Sequence, residues 1–247
     1  MIAGIIAQQA AMNAAPPAAG GIQFVGGKVV SAVGASLSFD FTGLTGGLAT
    51  EPSVGDFFLI SVGWARAGTS TPSLGTIPVG CDASPLFAVR GSDSIDASLA
   101  PYKGIYEAGS STGGSANSPG GGSTNLVAIQ VFRGVDAVTP MDVAPTAAVR
   151  SNGCDITLAA ITPVTAGAVI CCCAVSGSQS SSNTYFDPPT ITDIFKVGRA
   201  TTNDGSIIVG ANYDWVSGAF SPGLFDFNGG DSLSSAASGS VALRPAA

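Results

Sequence analysis

The sequence predicts an all-β protein, an antiparallel two-sheet sandwich with an N-terminal docking arm. Three observations carry that expectation. Leu126–Arg133 is a short, almost wholly apolar run bounded by a Gly/Ser spacer before it and by Gly134 after it. A run of this length and composition reads as a strand with both faces covered, at the centre of a sandwich. Gly is abundant at 34 residues, and it punctuates a series of similar apolar runs. The second half then repeats the first. Leu37-Ser38-Phe39 matches Ile156-Thr157-Leu158 at an offset of 119, Gly55 with its strand matches Gly167 at 112, and Tyr106 matches Tyr213 at 107. Leu126–Gly134 matches the closing SVALRP around Val241 in the same way. Two halves of strands facing each other would make a sandwich of jelly-roll type by internal pseudo-duplication.

Taken in order, residues 1–21 form the arm and 22–247 the sandwich domain. Ile2, Ile5, Ile6 and Gln9 fall at helical spacing in an Ala-rich stretch that Pro16-Pro17 ends, so a short helix over 2–14 is expected. Such a helix is marginal alone in water, which makes it a segment for docking onto a partner through Ile2, Ile5, Ile6 and Met12. No basic residue precedes Lys28 and Gln8-Gln9 break the apolar run, so a signal peptide is not expected. Ile22–Val33 reads as a first strand pair, and Ser36–Phe41 alternates with Leu37, Phe39 and Phe41 on one face. Gly55-Asp56 opens the strand Phe57–Trp64. Ala65–Pro85 reads as loop, followed by strands over Leu86–Val89 and Leu99–Glu107, the latter with Tyr102 and Tyr106 on one face. Gly113–Gly122 reads as a spacer, since it lacks the Lys-Ser/Thr ending of a phosphate loop.

Composition excludes several function classes. The net charge is −7 with nine scattered basic residues, so there is no basic stripe for nucleic acid or anionic lipid. No stretch is long enough and apolar enough for a membrane span. Histidine is absent, which removes the commonest general base and transition-metal ligand. Charged residues make up only 10%, a level that favours an assembled protein over a free monomer. Five cysteines are present, Cys81, Cys154 and Cys171–Cys173, without the paired spacing of a disulfide framework or a zinc site. They read as small apolar residues, with Cys171 and Cys173 on one strand face and Cys172 on the other.

Few residues offer chemistry. Asp93 with Asp96, or Asp226 with Asp231, are the available carboxylate pairs, and their settings are those of turn residues. Asp226, Asn228 and Asp231 around Gly229-Gly230 supply hard oxygens, though not at the spacing of a calcium-binding helix–loop–helix motif. Trp64, Tyr106, Tyr185, Tyr213 and Trp215 lie near strand ends, where aromatics either stack on sugars or fill a core. No catalytic, cofactor-binding or metal-binding residue is assigned, and no enzymatic activity is expected.

Several stretches resemble small β-sandwich virion proteins of tailed bacteriophages and prophages. They are the MIAGIIAQ arm ending in prolines, GDFFLISVGW, APYKGIYEAG, FRGVDAVTPMDV, ITPVTAGAVI and SVALRPA. The Cys171–Cys173 run departs from that pattern. The resemblance implies a structural part of a phage particle, assembled in the host bacterial cytoplasm and carried on the virion. A capsid decoration or cement protein anchored by the arm is one expectation, and a tail-fibre or tail-tip protein that binds a host-surface glycan is the alternative. The implied partners are the major capsid protein or neighbouring copies in a homo-oligomer, for which the resemblance suggests a trimer.

Overall fold

The structure is a computed structural model, and it describes residues 21–65, 70–93, 95–117, 124–177, 188–199, 205–227 and 234–247. Among the described residues eight strands make up the first half of the fold. They are β1 (Gln23–Val33), β2 (Ser36–Phe39), β3 (Phe57–Ala65), β4 (Ser73–Thr76), β5 (Val89–Gly91), β6 (Ala97–Ile105), β7 (Gly114–Asn117) and β8 (Thr124–Arg133). Seven follow it: β9 (Thr146–Arg150), β10 (Ile156–Thr157), β11 (Val169–Ser176), β12 (Thr192–Arg199), β13 (Gly205–Asn212), β14 (Leu224–Phe225) and β15 (Ala236–Leu243). Every pairing between these strands is antiparallel. No helix among the described residues is long and apolar enough to cross a membrane.

Two five-stranded sheets form the centre, ordered β1-β8-β3-β6-β5 and β9-β15-β11-β13-β12. Each strand of the first sheet has its counterpart at the same place in the second, so the duplication read from sequence is present in the wiring. It extends outward too, because β2 pairs with β7 as β10 pairs with β14. All four sequence matches fall on counterpart strands: β2 with β10, β3 with β11, β6 with β13 and β8 with β15.

The two large sheets pack face to face. Phe24, Phe57, Leu59 and Phe132 meet Val169, Cys171, Val241 and Leu243 at one end of the sandwich. Leu99, Leu126 and Ala128 meet Cys173, Val175, Ile207 and Val209 at the other. The sheets approach closely at Gly63, where an added Cβ would lie 2.4 Å from Val175 Cγ2. The outer faces are covered as well. Phe58, Ile60, Val127 and Ile129 pack under the short β2-β7-β4 sheet with Leu37, Phe39 and Ala116. Ile170, Cys172 and Ile208 pack under β10-β14 with Ile156, Phe225 and Phe227. The sandwich therefore has four layers instead of two. Its inner strands are buried along their whole length, which is why they read as continuous apolar runs.

Several sequence expectations change in detail. Ile22–Val33 is one strand with a bulge between Phe24 and Gly26, not a strand pair. β8 is covered on both faces as expected, but β3 holds the middle of the sheet. Ser73–Thr76, expected as loop, is β4, and the strand expected over Leu86–Val89 forms at Val89–Gly91. Part of the expected spacer is β7, central in its short sheet. Small residues occur there because Thr76 O and the Phe39 ring crowd Gly114 to 2.5 and 3.0 Å of an added Cβ. The open edge of β1 is closed by a loop, through Gly27–Thr45 bonds and Ala49 N–H donating to Val25 O.

Candidate functional site

One end of the sandwich combines several built features. β3 and β11 begin there, β8 and β15 end there, and β1 enters there, as the shared apolar cluster of these strand ends requires. In the first half Arg133, the last residue of β8, grips Asp56 just before β3. Its Nε and Nη2 donate to the two carboxylate oxygens at 2.8 and 2.9 Å. Asp56 also accepts from Ser53 N–H at 2.8 Å, which fixes the loop carrying Val54. The carboxylate side chain is only 3% exposed, whereas Val54 is 70% exposed. The Asp56 hydrogen bond, against the cost of burial, pushes the Arg133 guanidinium above its ordinary pKa.

The second half repeats the device. Arg244 follows β15 and its Nε donates to Asp142 at 3.4 Å, while Asp142 accepts from Val164 N–H at 2.5 Å and Thr165 N–H at 3.1 Å. Burial works to raise the Asp142 pKa, but the bonds from Thr165, Val164 and Arg244 together hold it below the usual carboxylate range. Val164 is 70% exposed, as Val54 is. Nearby, Asp136 caps Val138 N–H and Thr139 N–H, leaving the Val138 side chain in solvent. Those two amides and the Thr139 hydroxyl lower the Asp136 pKa. The two clamps adjoin, because Val135 bridges Pro245 and Asp136 N–H donates to Arg244 O.

Exposed valines are ordinary when scattered, but Val54 and Val164 stand on loops held by the buried carboxylates of Asp56 and Asp142, and Val138 on a turn capped by the more exposed Asp136. Ile77, Val79 and Val216 stand exposed in other loops at the same end. Chain entry is also here: Gly134, at φ 80°, would set a Cβ 2.9 Å from Gly21 O. Only glycine tolerates both that φ and that approach. The arrangement can present apolar surface to a partner, and it gathers no groups for bond chemistry.

Other candidates resolve into structural roles or lie outside the described residues. Ile2, Ile5, Ile6 and Met12 lie outside them, as do Asn228, Asp231 and Tyr185. Among the described residues no cluster of three His, Cys, Asp or Glu side chains could hold a metal ion. Asp96 accepts from Arg90 at 2.6 Å and from Asp93 N–H, and Asp93 accepts from Asn152 N–H, so this carboxylate pair fastens loops. Trp64 is buried, Tyr106 packs edge-on against Phe41, Tyr213 packs at the sandwich end, and Trp215 Nε1 donates to Gly218 O. They form no stacking platform. Four of the five free cysteines are buried, with Cys171 and Cys173 facing the opposite large sheet and Cys172 facing outward. A depression of about 410 Å³ lies on the first half's outer layer, lined by Ser38, Asp40, Thr76, Thr112 and Ser115. Asp40 there accepts from Lys28 and Thr42, and Ser115 Oγ accepts from Thr76 N–H.

Sequence reasoning missed the paired clamps. The signal was two matched last strands ending in Arg, FRG and LRP, with an acidic residue free to meet each. No protein-family model, curated protein or solved structure matches this chain.

Proposed function

We propose that this chain is a structural protein of a bacteriophage virion, a head decoration or cement protein anchored through its N-terminal arm. The observation that carries the reading is the rigid valine surface at the end of the sandwich where β1 enters. The chain enters the sandwich at the same end as that apolar surface, as an attachment face would have it, and the opposite end is left to project. We also read each half as one jelly roll. The order β1-β8-β3-β6 facing β2-β7-β4 follows that wiring, and the second half repeats it in β9-β15-β11-β13 and β10-β14. Many shallow contacts per particle would hold such a protein by multivalency.

A copy count in purified particles against the major capsid protein tests this. Hundreds of copies are expected, with incorporation lost when residues 2–19 are deleted from a chain whose circular dichroism is unchanged. Normal incorporation of that deletion overturns the anchoring role, and a handful of copies per particle overturns decoration of the head lattice. The hydroxyl-lined depression on the first half favours a second reading, a tail-fibre or tail-tip protein binding a host glycan. A glycan array separates the two, because a cement protein binds the capsid and ignores host sugars.

A further inference from the structure

We infer that the paired valine surface of one copy is the receptor for the N-terminal arm of a neighbouring copy, so that the protein assembles by arm exchange. The inference rests on the reading of residues 1–20 as an attachment segment and names what that segment attaches to. Twenty residues precede Gly21, and the chain leaves the sandwich beside Gly134, between the two clamps. With residues 2–14 in the helix expected from sequence, at about 1.5 Å per residue, and the rest extended at about 3.3–3.6 Å, this length reaches roughly 40 Å, enough to cross to an adjacent copy. The surface offers Val54, Val138 and Val164, and the arm carries Ile2, Ile5, Ile6 and Met12.

Charge selects the arm over direct contact between two bodies. The chain carries −7, while residues 1–20 contain no charged side chain. End-to-end packing of two sandwiches would bring Asp136 and Glu51 of each copy toward those of the other, both exposed or partly exposed at this end. A neutral apolar arm fills the same surface without that repulsion. The receptor is rigid before binding, since Asp56 and Asp142 already hold its loops, so little ordering cost falls on that side. Each clamp also sets one equally exposed valine, Val54 or Val164, beside the point of chain entry.

The test is sedimentation equilibrium of the purified full chain and its variants in an analytical ultracentrifuge. The full chain is expected to self-associate with concentration. Val54→Asp with Val164→Asp is expected to weaken association at least tenfold, and so is Ile5→Asp with Ile6→Asp in the arm. Val33→Asp, at the opposite end, should leave association unchanged. Val33, Val54 and Val164 are exposed, and Ile5 and Ile6 precede the sandwich in sequence, so unchanged thermal unfolding should accompany each change. A full chain that stays monomeric overturns the inference, as does association that survives either double substitution or is lost equally in Val33→Asp. A monomeric chain that still needs its arm for particle incorporation would overturn arm exchange alone and leave the virion reading standing.

Discussion

Asp142 and Asp193 are carboxylates that the fold shifts in opposite directions, and their consequences for stability have opposite signs. Asp142 is held below its ordinary pKa despite burial, so its contribution is present above the unfolded value and is lost as pH falls through the folded value. Asp193 sits half-buried on β12 at φ 48°, and burial raises its pKa against the pull of the Tyr213 hydroxyl. The folded chain then holds that proton more tightly, so stability falls as pH rises from the ordinary carboxylate value through the raised one. Asn removes the charge and tolerates this backbone region better than most residues. Asp193→Asn is therefore expected to raise Tm near neutral pH, with the gain shrinking as the solution is acidified below the ordinary carboxylate range. A lower Tm at neutral pH would contradict this account. Asp142→Asn should do the reverse, costing about 2 kcal/mol near neutrality and less in acid. The thiols give a separate check. Burial pushes Cys172 and Cys173 up to about 12 and raises Cys171 well above its ordinary value, while burial and the Asp82 charge take Cys81 to about 12. Thiol reagents react through the thiolate, so labelling near pH 8 should be slow in the native chain and reach all five cysteines only after unfolding. Rapid native labelling of any of Cys171–Cys173 would mean that β11 opens readily.

Contact between β3 and β11 sets the spacing of the two large sheets, and it depends on one small residue facing one branched one. Gly63→Ala places a Cβ against Val175 and is expected to cost about 1–3 kcal/mol by overpacking. Combining it with Val175→Ala should recover part of that loss, a coupling that a double-mutant cycle by urea denaturation measures directly. Purely additive losses would mean that the sheets are not in register at this point. The strand that carries Val175 was legible in the sequence, as were β2, β3, β6 and β8 and the repeats β10, β13 and β15, while β1 was read as a strand pair and β9 was not read. Long apolar runs and Gly punctuation identify inner strands whatever packs on them. The number of layers was not read, since two sheets were expected where four layers stand, although a run such as Val169–Val175 without alternation needs cover on both faces. The cover itself was hidden, because β7 is built from Gly, Ser, Ala and Asn, chosen for tight approach and not for β propensity. The site was less legible than the fold. Arg133 and Arg244 stand out as matched strand ends, but a carboxylate 77 residues from one and 102 from the other is brought to it only by folding.

At the scale of the whole molecule the two halves share their largest apolar faces, so neither is able to unfold alone without stripping the other. Separation would expose Phe57, Leu59, Leu99, Leu126 and Phe132 on one sheet, and Val169, Val175, Ile207, Val209, Val241 and Leu243 on its partner. Exposing half a dozen such side chains at about 1.5–3 kcal/mol each already matches the roughly 5–15 kcal/mol by which a domain is ordinarily stable. A folded half beside an unfolded half is therefore too costly to populate. The chain should melt in one calorimetric transition whose van't Hoff and calorimetric enthalpies agree. Val209→Ala in the second half should lower that single transition as a whole, and Phe132→Ala in the first should do the same by a larger amount. Two resolved transitions, each moved by only one of these substitutions, would mean that the halves are independent domains. The repeated wiring would then describe how the chain is built, while its stability would have to be assigned to each half separately.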